Sequence, residues 1–283
     1  MPDFAIIDSH FHLMDPTRFY YRWLAEAPPL NRTFFPDDYA AARKGVAVEG
    51  AVFMEVWAGD DERIAEVDWV TDFAAKNPII KAILAGILLE DPERTRRDIE
   101  ELKRRPLVRG VRKVTEPDPP GYTLTPGFLE STRYLGKEGL TSDIAVLNTQ
   151  INEAAELIRE CPDTQFVLNH LCKPDIADPA FDVVRWRREI KELSRRPNVV
   201  AKISGLVNRA VQPSTVEQIK PYVDHMIECF GFDRCMFGGD WPVAELGGGL
   251  AHWVAVLDAA TKSASEDERR MLFRDTAKRI YRL

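Results

Sequence analysis

The chain has 283 residues, 45% of them hydrophobic and 29% charged, an ordinary balance for a soluble globular protein that buries a full core. Its net charge of -7 and pI near 5.4 exclude general affinity for nucleic acid, which needs a basic face. No stretch reaches the roughly 18 apolar residues of a membrane span, and the N-terminus lacks the basic and apolar regions of a signal peptide, so a cytoplasmic protein without a membrane partner is expected.

Apolar runs alternate with amphipathic segments along the whole sequence. The first run, residues 5–13, reads as a strand and contains Asp8-Ser9-His10-Phe11-His12. Residues i and i+2 of a strand share a face, so His10 and His12 point together from one strand end. The loop that follows carries Arg18, Phe19, Tyr20, Tyr21, Arg22 and Trp23, and is placed to cover the mouth of a site. Tyr21 and Trp23 are its candidate substrate contacts.

Strands are then read at 49–57, which carries Glu55, and at 79–89, 107–114, 140–147, 165–171, 198–206 and 234–243. Helical patterns separate them at 37–44, 61–76, 92–105, 127–137, 151–159, 181–195 and 216–230, and the tail from Leu250 supplies at least two more. Asp91 before Pro92 and Glu93 is a helix cap followed by a first-turn proline and an acid near the positive helix end. Arg104-Arg105-Pro106 and Arg195-Arg196-Pro197 are matching helix stops.

Eight strand and helix units predict an α/β fold, a distorted (β/α)8 TIM barrel occupying residues 1–283 as a single domain. The competing open sheet lacks the glycine-rich fingerprint expected after its first strand. Polar and ionisable residues also gather where the runs end, the face on which barrels carry their sites.

Two imidazoles facing one way at a strand end fill space no better than Leu and cost desolvation, which favours a chemical role. His170 closes the sixth run and Asp240 the eighth, and a barrel aims both at the same mouth. Three histidines and an aspartate can hold one divalent ion, or act directly as acid, base and electrophile. Glu55 either completes a mononuclear zinc site or pairs with Arg112 or Lys113. Arg112 is an inward candidate for gripping a substrate carboxylate with both arms of its fork, and Arg209 is a second candidate or else a surface cation. Trp241 either walls the pocket or packs the barrel. His225 and His252 lie within helical patterns and are assigned to structure. Cys161, Cys172, Cys229 and Cys235 form no Cys-x-x-Cys pair and read as free thiols. Ser204 lacks a Gly-x-Ser-x-Gly elbow, which argues against an acyl-serine mechanism.

Asp8-Ser9-His10-Phe11-His12, Tyr21-Arg22-Trp23-Leu24, Gly110-Val111-Arg112, Leu168-Asn169-His170-Leu171-Cys172-Lys173-Pro174, Lys202-Ile203-Ser204-Gly205-Leu206 and Phe237-Gly238-Gly239-Asp240-Trp241-Pro242 occur in the order found in the amidohydrolase superfamily. The chain resembles its lactonase-like branch, which includes fuconolactonase and pyrone-dicarboxylate lactonase, from Ile6 to the C-terminus. The resemblance implies a hydrolase that opens the cyclic ester of a sugar acid or related carboxylic acid, with a small-molecule partner. Many superfamily members hold two metals through a fourth-strand lysine or glutamate and a fifth-strand histidine. Here the fifth run offers Asp143 and no histidine, and Lys113 stands where the branch commonly has histidine, so a binuclear centre is not expected. Either no metal is required or one divalent ion, zinc by preference, binds at His10, His12, His170, Asp240 and Glu55.

On this reading Asp240 is general base and then general acid, while His10, His12 and His170 polarise the carbonyl. Substrate contacts are Arg112, Trp23, Tyr21, Trp241 and Arg209. The alternatives are a metal-dependent decarboxylase, a lactone isomerase and a non-catalytic barrel that binds sugar acids. The sequence carries no signal of oligomeric state.

Overall fold

The computed structural model describes residues Met1–Leu283. Eight strands pair in parallel, each with the next in sequence: β1 (Ile6–Phe11), β2 (Val48–Met54), β3 (Ile80–Gly86), β4 (Val108–Val114), β5 (Thr141–Ala145), β6 (Phe166–Leu168), β7 (Val199–Ile203) and β8 (Cys235–Phe237). Helices α1 (Pro36–Ala42), α2 (Arg63–Ala74), α3 (Pro92–Lys103), α4 (Pro126–Lys137), α5 (Ile151–Glu160), α6 (Val183–Leu193) and α7 (Val216–Phe230) connect them, and α8 (Gly249–Ala260), α9 (Glu266–Arg270) and α10 (Thr276–Tyr281) follow β8. This is the TIM barrel that the alternating pattern predicts. The Asp91 cap forms as expected, its carboxylate accepting from the backbone N–H groups of Glu93 and Arg94. No helix is long and apolar enough to cross a membrane.

The ring closes through residues just beyond the regular strands. Asp240 N–H donates to His10 O at 2.7 Å and His12 N–H donates to Trp241 O at 2.8 Å. Lower down, Asp8 substitutes a side chain for ladder bonds, its Oδ1 accepting from Gly239 N–H at 2.7 Å. Burial lifts the Asp8 carboxyl to about 6, against the hydrogen bonds from Gly239, His10 and Tyr39 that favour its charged form.

Period-two alternation divides each strand between two apolar regions. Ala51, Phe53, Ile83 and Val111 face the helices within the large core, whereas Ile7, Val52, Met54, Ala82, Leu84, Val167, Val200 and Met236 fill the lumen. Ala277, Ile280 and Tyr281 of α10 join the lumen cluster and stopper the end opposite the site. On β1 the register slips between Asp8 and Phe11, so inward parity passes from Ile7 to His10 and His12. That bulge lifts both imidazoles above the apolar layer.

Every strand is shorter than its apolar run, and β6 and β8 keep only three residues each. Past β8, Gly238 and Gly239 have no room for a Cβ, which would lie 2.8 Å from His10 Cβ and 2.4 Å from Asp8 Oδ2 respectively. Asp240 then takes φ +55°. Past β6, His170, Leu171, Cys172 and Lys173 all adopt left-handed backbone, a conformation costing of order 1–3 kcal/mol per residue unless its surroundings hold it. They do: Asn148 Nδ2 donates to Lys173 O and Trp186 Nε1 to Leu171 O. All four cysteines are free.

Candidate active site

At the C-terminal ends of the strands a cleft of about 400 Å³ is lined by His12, Trp23, Arg112, His170, Arg209 and Asp240 among others. On its floor, Asp240 Oδ1 lies 3.6 Å from His10 Nε2, 3.6 Å from His12 Nε2 and 3.8 Å from His170 Nε2. The fold therefore brings together three imidazoles and the carboxylate from opposite ends of the sequence.

Hydrogen bonds set the tautomers. His12 Nδ1 meets Met54 O at 2.8 Å, and because a carbonyl only accepts, the proton is on Nδ1 and the Nε2 lone pair faces the cleft. That lone pair lies 3.2 Å from His10 Nε2. His170 Nδ1 meets Ser204 Oγ at 2.9 Å, so the hydroxyl of Ser204 orients a ring and has no nucleophile's setting. Burial holds His10 and His170 neutral: the first lies well below its usual value, with Lys202 adding to the effect, and the second is pushed down to about 3. Burial alone would raise Asp240. The histidines packed against it, His170 first, reverse this and leave the carboxyl below its ordinary range. At neutral pH the floor holds a carboxylate facing the neutral imidazoles of His10 and His170.

His10, His12 and Asp240 place one donor atom each within 4.8 Å of one another, a set able to hold a divalent metal. The chemistry fits: a neutral imidazole with a free lone pair, a second whose Nδ1 has no partner, and an ionised carboxylate. His170 stands beside this compact set, its Nδ1 tied to Ser204 and its Nε2 turned to Asp240.

Glu55 does not join the ligands. Its Oε1 accepts from Arg112 Nε at 2.6 Å, Oε2 accepts from Trp57 N–H at 2.5 Å, and its backbone carbonyl takes Arg112 Nη2. The same contacts fix Arg112, which lines the cleft. Nε and one N–H of Nη2 are thereby engaged, while the N–H groups left on Nη1 and Nη2 are unassigned, with Nη1 3.5 Å from His10 Nε2.

Two of the aromatic candidates lie outside the cleft lining. Tyr21 is buried on the far side of its loop against Phe19, and Trp241 is wedged between Phe34 and Tyr39, with ring centroids 5.4 and 5.3 Å away. Both serve packing. Trp23 does reach the cleft, its Nε1 donating to Val56 O. Arg209 lines the mouth and pairs with Asp175 at 3.0 Å. His252 bonds Ser214 and His225 bonds Arg187 O, structural roles as expected.

Sequence reasoning missed Lys173, Glu116, Trp57 and Asn208 in the cleft wall. It also missed the ion pair below the floor. There Lys202 Nζ meets Asp143 Oδ2 at 2.9 Å, both side chains fully buried, and Asp143 also accepts from Asn169 Nδ2 and the Tyr281 hydroxyl. The fifth-strand position where a histidine is absent is thus filled by an internal anchor. Lys173, Glu116, Trp57 and Asn208 lie just past strand ends, the one hint of their place, whereas Asp143 and Lys202 lie within β5 and β7.

Residues 7–283 match the profile of the amidohydrolase family, and the chain belongs to that family. The L-fucono-1,5-lactonase of Burkholderia multivorans is 28% identical, with 98% of this chain and 96% of the relative covered. The L-rhamnono-gamma-lactonase of Scheffersomyces stipitis is 25% identical, with 99% and 97% covered. Among solved structures, a zinc-bound amidohydrolase from Burkholderia multivorans superposes with a TM-score of 0.88 at 27% identity, over 99% of each chain.

Proposed function

We propose that the protein is a lactonase that hydrolyses the ring ester of a sugar acid. The observation that carries this reading is the approach of Asp240 Oδ1 to three imidazole nitrogens on the floor of a polar cleft. Full-length likeness to two sugar-acid lactonases supports the reaction class.

In the proposed reaction Asp240, ionised at neutral pH, takes a proton from water as the water oxygen attacks the ring carbonyl carbon. The tetrahedral alkoxide then collapses, the ring C–O bond breaks, and protonated Asp240 returns the proton to the departing ring oxygen. With the Ser204 hydroxyl donating to Nδ1, His170 keeps its proton on Nε2 and offers it to the developing oxyanion. Arg112, fixed by Glu55, supplies a positive charge behind His10. Trp23 presents a flat wall for one face of the ring. A divalent metal, when bound, would be held by His10, His12 and Asp240 and supplies Lewis-acid polarisation of the carbonyl.

A pH-indicator screen of aldono- and uronolactones on protein of measured metal content tests the reading. Acid release from at least one sugar lactone is expected. Failure on every lactone, with turnover of a carboxylated aromatic to carbon dioxide instead, would replace it by the decarboxylase alternative.

A further inference from the structure

We propose that Lys173 and Glu116 form a hydroxyl-reading pair that selects uncharged lactones bearing hydroxyls on the ring carbons α and β to the carbonyl. The inference rests on the lactonase reading and adds a substrate class to it.

Glu116 lies two residues past β4 and Lys173 ends the left-handed segment after β6, so they approach from different walls of the cleft. They form an ion pair, with each side chain 21% exposed. A pair this exposed contributes little to stability, yet its Lys173 end is held firmly. The backbone N–H of Lys173 donates to His170 O at 2.7 Å, and its carbonyl accepts from Asn148 Nδ2 at 3.1 Å. Lys173 is therefore fixed relative to His170, and its charge is felt at both His170 and Asp240. Lys173 and Glu116 line the same cleft as Asp240, in which a lactone whose carbonyl lies over that carboxylate would place its ring.

The valences of the pair suit a polyol. A carboxylate has about four acceptor sites and an ammonium three donors, and one of each is used in the mutual contact. The remainder can accept from and donate to neighbouring hydroxyls, which themselves both donate and accept. A substrate carboxylate is served less well. The cationic side chains lining the cleft are Arg112, Lys173 and Arg209, and each already faces its own carboxylate, Glu55, Glu116 or Asp175.

The test compares kcat/KM of the wild type, Glu116→Gln and Lys173→Met on two lactones of equal ring size. One is a polyhydroxylated aldonolactone and the other is unsubstituted on the carbons α and β to the carbonyl. Loss of a charge-assisted hydrogen bond to a hydroxyl lowers the first value by roughly 10- to 100-fold. The second should fall about tenfold less than the first, because there is no hydroxyl to read and any effect of the Lys173 charge on His170 and Asp240 is common to both rings. Glu116→Asp should recover part of the loss. Melting curves confirm that the variants fold. Equal losses on both rings would reveal a merely structural pair, and unchanged turnover of the hydroxylated ring would remove the pair from recognition; either result overturns the proposal. A wild type inactive on both rings would instead defeat the lactonase reading itself.

Discussion

Gly205 sits between the two halves of the candidate machinery, and replacing it by alanine measures how closely they are fitted. A Cβ there would lie 2.6 Å from His170 Nδ1 and 3.2 Å from Asp240 Oδ2. Ordinary contact begins near 3.4 Å, so the imidazole must retreat by roughly 0.8 Å. That is enough to break the 2.9 Å contact with Ser204 and release the ring's orientation. Misplacement on the order of 1 Å lowers turnover about 100-fold. Gly205 also has φ +64°, where a Cβ costs roughly 1–2 kcal/mol in backbone strain. The control is Gly121→Ala, with φ +84° and nothing within 4 Å of the added methyl. Both variants should melt lower than the wild type, and only Gly205→Ala should lose lactone turnover, read as kcat/KM by acid release. Equal activity of the two variants would refute the argument that His170 is held in place by the absence of a side chain at position 205.

Two further outcomes concern the buried charges. Lys202→Met removes the partner of a fully buried carboxylate and should cost about 3–5 kcal/mol in urea unfolding. Lys202→Met with Asp143→Asn should regain much of this, and a single variant within about 1 kcal/mol of wild type would show that Asp143 needs no counter-ion. The second outcome is a pH effect. The unfolded chain protonates His170 near 6.5, whereas the folded chain resists until about 3. The unfolded state thus binds more protons across this window, and stability falls with pH by up to about 1.4 kcal/mol per unit from this group. Asp8 acts oppositely, since its folded value of about 6 lies above the unfolded one. The urea midpoint of His170→Gln should therefore depend less steeply on pH between 6 and 4 than that of wild type, with Asp8 common to both. Identical slopes would mean that His170 is not held neutral.

The strand count and the pairing of His10 with His12 were legible because both rest on period-two alternation. Asp240 and His170 were legible as ends of apolar runs, although each run overstated its strand. The left-handed turns after β6 and β8 depend on pinning by Asn148, Trp186 and Asp8, and all of these lie far away in sequence. Glu55 and Arg112 were visible individually. That they pair with one another, so that Glu55 stays outside the compact His10, His12 and Asp240 set, follows from β2 and β4 opening on one mouth, which no local signal carries. Tyr21 and Trp241 share composition with true cleft residues, and only the packing of α1 and its flanking loop decides which side of the wall each faces. Lys173 and Glu116 had no local signature, because their meaning lies in their juxtaposition.

The account stands or falls with Asp240. Lactone turnover by Asp240→Asn, measured beside its melting curve, should fall by about 100- to 10,000-fold while the protein remains folded, because the amide keeps the shape and hydrogen-bonding reach of the side chain but cannot accept the proton of the attacking water. A folded Asp240→Asn protein that opens the same lactone at the wild-type rate would contradict it.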